Sequence, residues 1–308
     1  MKRVRVFVPG SIGNVGPGLD VLGLAVRGPG DTLAAERTST GRIVVKDPGH
    51  PALPTDPSRH ASALAAQAVL RRVRGGRRIG LELWLAKGLP LSGGQGGSAA
   101  SAVAGAVAAN ALLGSPLSPE DLLQAALESE ARLAGRHLDN LAPALLGGLV
   151  LIRTSAPIEV LRLEPPRGLH LALVKPDYLL RTKRGRSALP RRVDREVAVY
   201  QAAQVAAMVA GAFRNDLALF GRAIDDRIAE PARLRLLPGF GAAKRAALRA
   251  GALGCSISGS GPTLFAVADS RATAAQAGEA ARAAYTRAGY GATVRLTTPD
   301  RHGARILG

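Results

Sequence analysis

The segment from Leu89 to Ser101, LPLSGGQGGSAAS, has the residue types and spacing that most clearly suggest a ligand-binding site. Residues 93–98 contain four glycines and a serine, an alternating strand pattern precedes them over 79–86, and an alanine-rich segment follows over 99–113. Glycine lets a turn point its backbone N–H groups at a ligand, and a helix N-terminus adds about half a positive charge. Strand, glycine loop and helix in this order predict an anion site, most often for phosphate. The alternative is a plain glycine turn before a buried helix.

Common nucleotide-binding motifs do not describe this loop. It lacks the Gly-Lys-Ser/Thr ending of the Walker P-loop. No acidic residue ends a second strand about twenty residues later, as the Rossmann fingerprint requires. The His-Arg-Asp and Asp-Phe-Gly triplets of protein kinases are also missing from the sequence. A nucleotide bound here would therefore need another architecture.

Two further glycine loops could approach the same ligand. Residues 9–20, PGSIGNVGPGLD, place the amide of Asn14 and the carboxylate of Asp20 among glycines, and residues 258–263, SGSGPT, join two apolar segments. Each has an ordinary local explanation, because Asn and Asp form turns and caps and SGSGPT is compatible with a hairpin turn. The alternative for the last loop is a backbone surface that faces the phosphate site.

The first half of the chain must position two of these loops. The pattern predicts strands over 3–8, 31–37 and 42–46, with a glycine loop over 9–18. It predicts a helix over 58–74 with Ser58 as N-cap, and another that begins at Ser118, directly before Pro119.

The second half shows a more regular order. We expect a strand over 169–175, helices over 196–212, 216–229 and 241–250, two strands within 254–268, a helix over 273–288 and a closing strand over 292–297. This order matches the split β-α-β pattern of ferredoxin-like domains. The predicted fold class is α+β, with an N-terminal domain over residues 1–155, a ferredoxin-like domain over 156–308 and the boundary somewhere within 149–163.

Composition narrows the possible partners and locations. The 308 residues, 47% hydrophobic, suffice for about two globular domains. The net charge of +18 fits either a nucleic-acid surface or attraction for a small polyanion, and the 3% of aromatic residues do not interleave with the basic clusters at 71–78 and 181–192. We therefore expect no nucleic-acid partner. We expect no apolar run to reach the ~18–20 residues of a membrane span, and the lone Cys255 indicates a reducing cytoplasm.

Together, the three loops resemble the motifs of the kinase superfamily named for galactokinase, homoserine kinase, mevalonate kinase and phosphomevalonate kinase. Nearly the whole chain takes part in this resemblance. Within the superfamily, three segments are similar to the homoserine kinases: NVGPGLDVLGLA at 14–25, HLDNLAPA at 137–144 with Gly147-Gly148 after it, and LLPGF at 236–240.

The resemblance implies a two-domain kinase with its active site between the domains, and transfer of the γ-phosphoryl group of ATP to L-homoserine in threonine biosynthesis. It also implies a cytoplasmic homodimer and a requirement for Mg²⁺. Ser98 and Glu130 would hold the metal ion, with Glu128 as the competing carboxylate. The residues that would wrap the triphosphate are Pro90, Leu91, Ser92, Gly93, Gly94, Gln95, Gly96, Gly97, Ser98, Ala99 and Ala100.

Charge complementarity suggests how homoserine would bind, because the amino acid carries an ammonium, a carboxylate and a hydroxyl. Asp20 offers an anion, and Arg186 and Arg233 offer forked donors for a carboxylate, with Arg235 as the alternative to Arg233. By resemblance the homoserine pocket comprises Asn14, Asp20, His137, Asn140, Arg186 and Arg233. Asn14, Asn140 and Arg186 would serve catalysis by positioning and charge stabilisation, since no carboxylate is a clear general base.

The chain departs from the family pattern inside the phosphate loop. Family members usually have Gly-Leu-Gly-Ser-Ser where this chain has Gly94-Gln95-Gly96-Gly97-Ser98. Gly97 removes one hydroxyl, and Gln95 puts an amide where an apolar residue usually packs. Two other functions stay open at this point: a related kinase for another small alcohol, and a basic protein that binds nucleic acid.

Overall fold

The chain is built around two β-sheets, described over residues 2–307 in a computed structural model. The strands are β1 (Arg3–Gly13), β2 (Leu22–Thr38), β3 (Ile43–Asp47), β4 (Gly80–Ala86), β5 (Leu149–Ser155), β6 (Ile158–Leu163), β7 (His170–Pro176), β8 (Gly254–Ile257), β9 (Leu264–Ala268), β10 (Ala292–Thr297) and β11 (Arg305–Leu307). The helices are α1 (Ala61–Arg72), α2 (Gly97–Leu112), α3 (Pro119–Leu133), α4 (Leu141–Leu146), α5 (Thr182–Ser187), α6 (Arg195–Arg214), α7 (Leu217–Arg222), α8 (Ala229–Arg233), α9 (Phe240–Arg249) and α10 (Arg271–Arg287).

The second sheet confirms the ferredoxin-like prediction. Its strands lie in the order β10-β7-β9-β8, and every neighbouring pair is antiparallel. Numbered within this half of the chain, that order is fourth, first, third, second, with α10 crossing between the last two strands in sequence. The predicted α+β class with a split β-α-β half is therefore correct.

The first sheet includes strands that the sequence pattern did not reveal. It runs β11-β1-β2-β4-β3, with β5 pairing with β2 and β6 with β5. The expected domain boundary between residues 155 and 156 falls at the turn of the β5–β6 hairpin, so β6 extends this sheet beyond it. From the C-terminal end, β11 returns and pairs with β1 at Phe7↔Arg305.

Buried alanines let the helices pack closely on the first sheet. α1, α2 and α3 contribute most of the apolar cluster that covers it, including Ala65, Ala104 and Ala126. A Cβ at Gly105 of α2 would lie 2.0 Å from the carbonyl oxygen of Ser62 in α1, so the two helices approach too closely for any side chain there. The helix behind the phosphate loop is therefore held firmly.

A second apolar cluster lies between the two sheets and sets how they face each other. It combines Ile12 and Leu24 of the first sheet with Leu171 and Phe265 of the second. The outer face of the second sheet is covered by a third cluster, to which α9 and α10 contribute. Loops at the junction of the sheets are thus fixed from both sides.

Several expected element boundaries need correction. The residues 9–18 do not form one loop, because β1 continues to Gly13 and the turn begins only at Asn14. The helix expected from Ser58 starts at Ala61, since the Ser58 hydroxyl and N–H instead bond Asp56 in the preceding turn. The helix expected over 216–229 is two short helices, α7 and α8, separated by a loop.

The N-cap predicted at Ser118 is confirmed. Its hydroxyl accepts a hydrogen bond from the N–H of Asp121 at 3.2 Å, and the Asp121 carboxylate accepts one from the N–H of Ser118 at 3.3 Å. Pro119 occupies the first helical position, where no N–H is needed. This capping box fixes the start of α3, the helix that carries Glu130.

By length and composition, the helix α6 is long and apolar enough to cross a membrane, with a mean hydropathy of 1.2 over its most apolar 18 residues. Only 22% of that 18-residue stretch is buried. The expectation that no apolar run reaches the ~18–20 residues of a span is not contradicted, because Glu196 and Arg214 bound the uncharged part of this helix. One such helix is weak evidence for a span, because core helices of soluble proteins pass the same test. Met208 and Ala212 of α6 pack into the cluster between the sheets.

Candidate active site

A cavity of about 560 Å³ opens at the junction where the three glycine loops meet. Asn14 lines it from the first loop, most of residues 90–99 from the second, and residues 259–261 from the third. Side chains of α3, α5 and the segment before α4 also line it. The structure thus brings the three separately identified loops to one site.

Direct hydrogen bonds hold the three loops together. The hydroxyls of Ser258 and Thr263 donate to the carbonyl oxygens of Gly94 and Gly93, each at 2.5 Å. The Asn14 side-chain amide donates to the Gly259 carbonyl at 3.0 Å. The third loop is therefore a hairpin turn and also a support for the phosphate loop, so the two alternatives for it are compatible.

The phosphate loop has the backbone of an anion cradle. Ser92, Gly94 and Gly96 take positive φ angles of 51°, 71° and 71°, which turn successive peptides around the cavity before α2 begins at Gly97. Of the eleven residues expected to wrap a triphosphate, nine line the cavity. Gln95 and Ala100 do not: Gln95 is buried away from the cavity, and Ala100 belongs to the apolar core.

The two candidate metal carboxylates occupy different surroundings. The Glu130 carboxylate accepts a hydrogen bond from the Ser98 hydroxyl at 2.7 Å inside the cavity. Glu128 instead forms ion pairs with Arg71 and Arg72 on the outer side of α3. Burial, together with the charge of Asp139, raises the pKa of Glu130 above its usual value. A cation beside Glu130 would offset that burial.

Within residues 2–307 no group of three or more His, Cys, Asp or Glu side chains could hold a metal ion by itself. Mg²⁺ commonly binds with one or two carboxylates, substrate phosphates and water. One carboxylate and one hydroxyl at the entrance of a phosphate loop fit that pattern, whereas a dedicated protein cage would not be expected.

Asp20, Arg186 and His137 form a charged cluster beside the phosphate loop. The Arg186 guanidinium donates two hydrogen bonds to the Asp20 carboxylate, at 2.6 and 2.7 Å, and His137 Nδ1 lies 3.3 Å from the same carboxylate. Burial alone would raise the pKa of Asp20, but these two partners hold it well below its usual range. Arg186 and His137 line the cavity directly.

A buried carboxylate that the sequence interpretation did not weigh lies between these groups. Asp139 is 4% exposed and lines the cavity next to Asn140, whose side-chain oxygen accepts a hydrogen bond from Ser11 at 2.9 Å. Burial and then the charge of Asp20 raise the pKa of Asp139 to about 6. Its place inside HLDNLAPA was the available signal, since His137 and Asn140 of the same segment are candidate site residues.

The two candidate arginines of α8 and the turn after it differ sharply. Arg233 is only 1% exposed and donates to the carbonyl oxygens of Gly185 and Gly259, at 3.1 and 3.0 Å. It therefore connects α5 to the third loop through hydrogen bonds and does not line the cavity itself. Arg235 is exposed to solvent on the outside of the chain.

Another part of the cavity wall was not predicted from the sequence. It comprises Leu53, Pro54, Arg59 and His60 from the loop before α1, and Leu133 at the end of α3. Apolar side chains next to a ring nitrogen and a guanidinium suit a flat, partly polar group. The cavity wall thus offers two kinds of lining, one suited to phosphate and one to a flat, partly polar group.

Known families and proteins match the chain along its length. Residues 61–148 match the GHMP kinases N terminal domain, and residues 208–287 match GHMP kinases C terminal. The homoserine kinase of Chlorobaculum tepidum is 42% identical over 322 residues, covering 100% of this chain and 99% of its own. The homoserine kinase of Arabidopsis thaliana is also 42% identical, covering 99% and 84%.

Solved structures agree with these sequence matches. The homoserine kinase from Cytophaga hutchinsonii superposes with a TM-score of 0.94 at 38% identity, covering 100% of this chain and 98% of its own. Mevalonate kinase from L. major, at 16% identity and a TM-score of 0.69, shares the fold. The resemblance drawn from the three loops is confirmed: the chain belongs to the GHMP kinase family, among the homoserine kinases.

Proposed function

We propose that this chain phosphorylates L-homoserine with ATP, giving O-phospho-L-homoserine for threonine biosynthesis. The observation that carries the proposal is one cavity in which a glycine phosphate loop faces a charged cluster of opposite signs, in a chain of the homoserine kinase family. The loop suits a triphosphate, and the cluster suits an amino acid.

We assign the triphosphate to residues 90–99. The amides of this loop and the N-terminus of α2 supply fixed positive potential without having to reorganise during the reaction. The part of the cavity wall formed by Leu53, Pro54, Arg59, His60 and Leu133 is assigned to the nucleoside. Ser98 and Glu130 would hold Mg²⁺, which when bound supplies charge neutralisation at the phosphates.

The charged cluster is assigned to homoserine. The substrate ammonium approaches Asp20 and the substrate carboxylate approaches Arg186, so that a zwitterion joins an existing ion pair and leaves neither protein charge unpaired. His137 adds a hydrogen bond to the Asp20 carboxylate. Arg233 takes part indirectly, because it fixes the backbone of α5 and of the third loop.

Catalysis in this proposal rests on alignment and charge stabilisation. Asn14 and Asn140 present amides near the meeting point of the two ligands, and Arg186 adds a positive charge. Such groups stabilise charge that develops on the transferred phosphoryl group. An Asp20→Asn variant that lost turnover with unchanged homoserine affinity would contradict the assignment of Asp20 to the substrate ammonium.

We further propose that the enzyme is a cytoplasmic homodimer without a nucleic-acid or membrane partner. The basic clusters carry no interleaved aromatic side chains to stack on bases, and α6 uses Met208 and Ala212 to pack on the second sheet. A relative that phosphorylates another small alcohol stays the competing enzyme function. Salt-sensitive RNA binding without turnover would support the nucleic-acid alternative.

Product identification tests the proposed reaction. Purified protein incubated with Mg·ATP and L-homoserine is followed by ³¹P NMR. The proposal predicts ADP and one new phosphomonoester signal in equal amounts, and neither signal when homoserine is omitted. ADP with free phosphate and no phosphomonoester would mean ATP hydrolysis and would refute the transfer.

A further inference from the structure

Gln95 lies at the centre of the phosphate loop but faces away from the cavity. Its side chain is buried, with 7% of the residue exposed, and it is absent from the cavity wall. Its carbonyl oxygen accepts a hydrogen bond from the N–H of Ser11 in β1 at 3.2 Å. Related kinases usually have leucine at this position, so the amide needs its own explanation.

The Gln95 amide bonds to the second sheet. Its oxygen accepts a hydrogen bond from the Arg295 guanidinium of β10 at 2.9 Å, and its nitrogen lies 3.4 Å from the Thr263 hydroxyl. That hydroxyl donates to the Gly93 carbonyl, two residues earlier in the same loop. The Gln95 amide thus connects the phosphate loop to β10 and to Thr263, the last residue of the third loop before β9.

Arg295 bridges three parts of the molecule. From β10 it reaches the carbonyl oxygen of Arg27 in β2 at 2.8 Å with one nitrogen and Gln95 with another. Burial lowers the pKa of its guanidinium. Among the ion pairs of residues 2–307, none includes Arg295, so its hydrogen bonds go to neutral oxygens.

The loop depends on such external anchors because of its own composition. Residues 93–97 are Gly-Gly-Gln-Gly-Gly, so Gln95 carries the loop's one side chain between Ser92 and Ser98. Glycine backbone is costly to order, and its N–H groups bind an anion well only when their directions are fixed in advance. A side chain anchored in the second sheet supplies that restraint.

We propose that Gln95 and Arg295 form a positioning pair that holds the phosphate loop in its ligand-binding shape from the second sheet. The pair touches neither the nucleotide nor homoserine, and it acts through the backbone of the loop. Its effect on ATP rests on the proposed function, whereas its effect on loop order does not.

A double-mutant cycle tests the pair with Arg295→Met, Gln95→Leu and both changes together. Arg295→Met leaves the buried Gln95 amide without its donor, and Gln95→Leu leaves the half-buried Arg295 guanidinium without one of its acceptors. Each single variant is therefore expected to raise the KM for ATP about tenfold while the KM for homoserine stays within about twofold. The double variant places two apolar side chains together and is expected to recover most of the loss. Arg287→Met, at an exposed arginine of α10, is the matched control and should match the parent.

Hydrogen exchange of residues 92–98 in the ligand-free protein provides a readout that does not depend on turnover. Faster exchange in both single variants, restored in the double variant, supports the pair even if homoserine proves to be the wrong substrate. Unchanged loop exchange in Arg295→Met overturns it. Single-variant effects that simply add in the double variant also overturn it, because independent residues show no coupling.

Discussion

Replacing Asp139 with asparagine should stabilise the protein at neutral and alkaline pH, although the residue lies in the candidate active site. Asp139 is buried, and burial followed by the nearby charge of Asp20 raises its pKa from 3.8 to about 6. The folded protein therefore holds a carboxylate whose charged form is disfavoured. Asparagine has nearly the same shape and carries no charge.

The sign and size follow from the two pKa values. Because the folded-state pKa is raised, the contribution of Asp139 to stability is fully present below the unfolded value and is lost as pH rises through about 6. The whole shift corresponds to about 3 kcal/mol. Asp139→Asn should thus exceed the parent in unfolding free energy at pH 8 by up to that amount, and the difference should vanish towards pH 4.

Chemical unfolding of the two proteins across pH 4 to 8 measures this difference, with Asp20→Asn as the control. Burial would raise the pKa of Asp20, but Arg186 and His137 lower it below its usual range. Its stabilising contribution is therefore present at high pH and lost as pH falls, so Asp20→Asn should destabilise at pH 8. If Asp139→Asn destabilised the protein at pH 8 as Asp20→Asn does, the reasoning would be refuted.

Three other changes test separate parts of the site. Glu130→Gln should raise the Mg²⁺ concentration for half-maximal turnover by about tenfold or more. The control Glu128→Gln, on the outer side of α3, should leave that concentration unchanged. Equal effects of the two variants would contradict the metal assignment. The Lys87 ammonium donates hydrogen bonds to the Asp31 carboxylate, the Gly97 carbonyl and the Ser101 hydroxyl. Lys87→Met should therefore lower the unfolding free energy by about 3–5 kcal/mol. A loss below about 1 kcal/mol in urea unfolding would argue against this role. A Cβ at Gly13 would lie 2.4 Å from side-chain atoms of both Asp139 and Asn140. Gly13→Ala should therefore displace these side chains and reduce kcat about a hundredfold. Unchanged steady-state kinetics would show that this contact is unimportant.

Local patterns were sufficient for much of the fold. Alternation and helical spacing identified the four strands of the second sheet and the helices α6, α9 and α10, because these elements are flanked by clear turns. Glycine loops could be recognised one by one, since each needs special backbone angles that glycine supplies. Ser118 could be read as a cap because its partner is only three residues away.

Features that depend on distant contacts could not be read in this way. β11 has three residues and gains its hydrogen bonds only from β1 at the other end of the chain. The hydrogen-bonded pair Gln95 and Arg295 is separated by 200 positions. Asp139 differs from its neighbours through burial and through the charge of Asp20 across the site, neither of which is visible in the local sequence.

The most direct test of the central claim is a coupled assay of ADP release with Mg·ATP and four acceptors: L-homoserine, L-serine, L-threonine and mevalonate. A phosphate loop and a zwitterion-binding cluster that share one cavity predict turnover with L-homoserine well above the other three. Comparable or faster turnover with mevalonate would contradict the assignment of Asp20 and Arg186 to an amino acid. No ADP release with any of the four acceptors, from folded protein that binds ATP, would leave the fold assignment intact and exclude homoserine as the substrate.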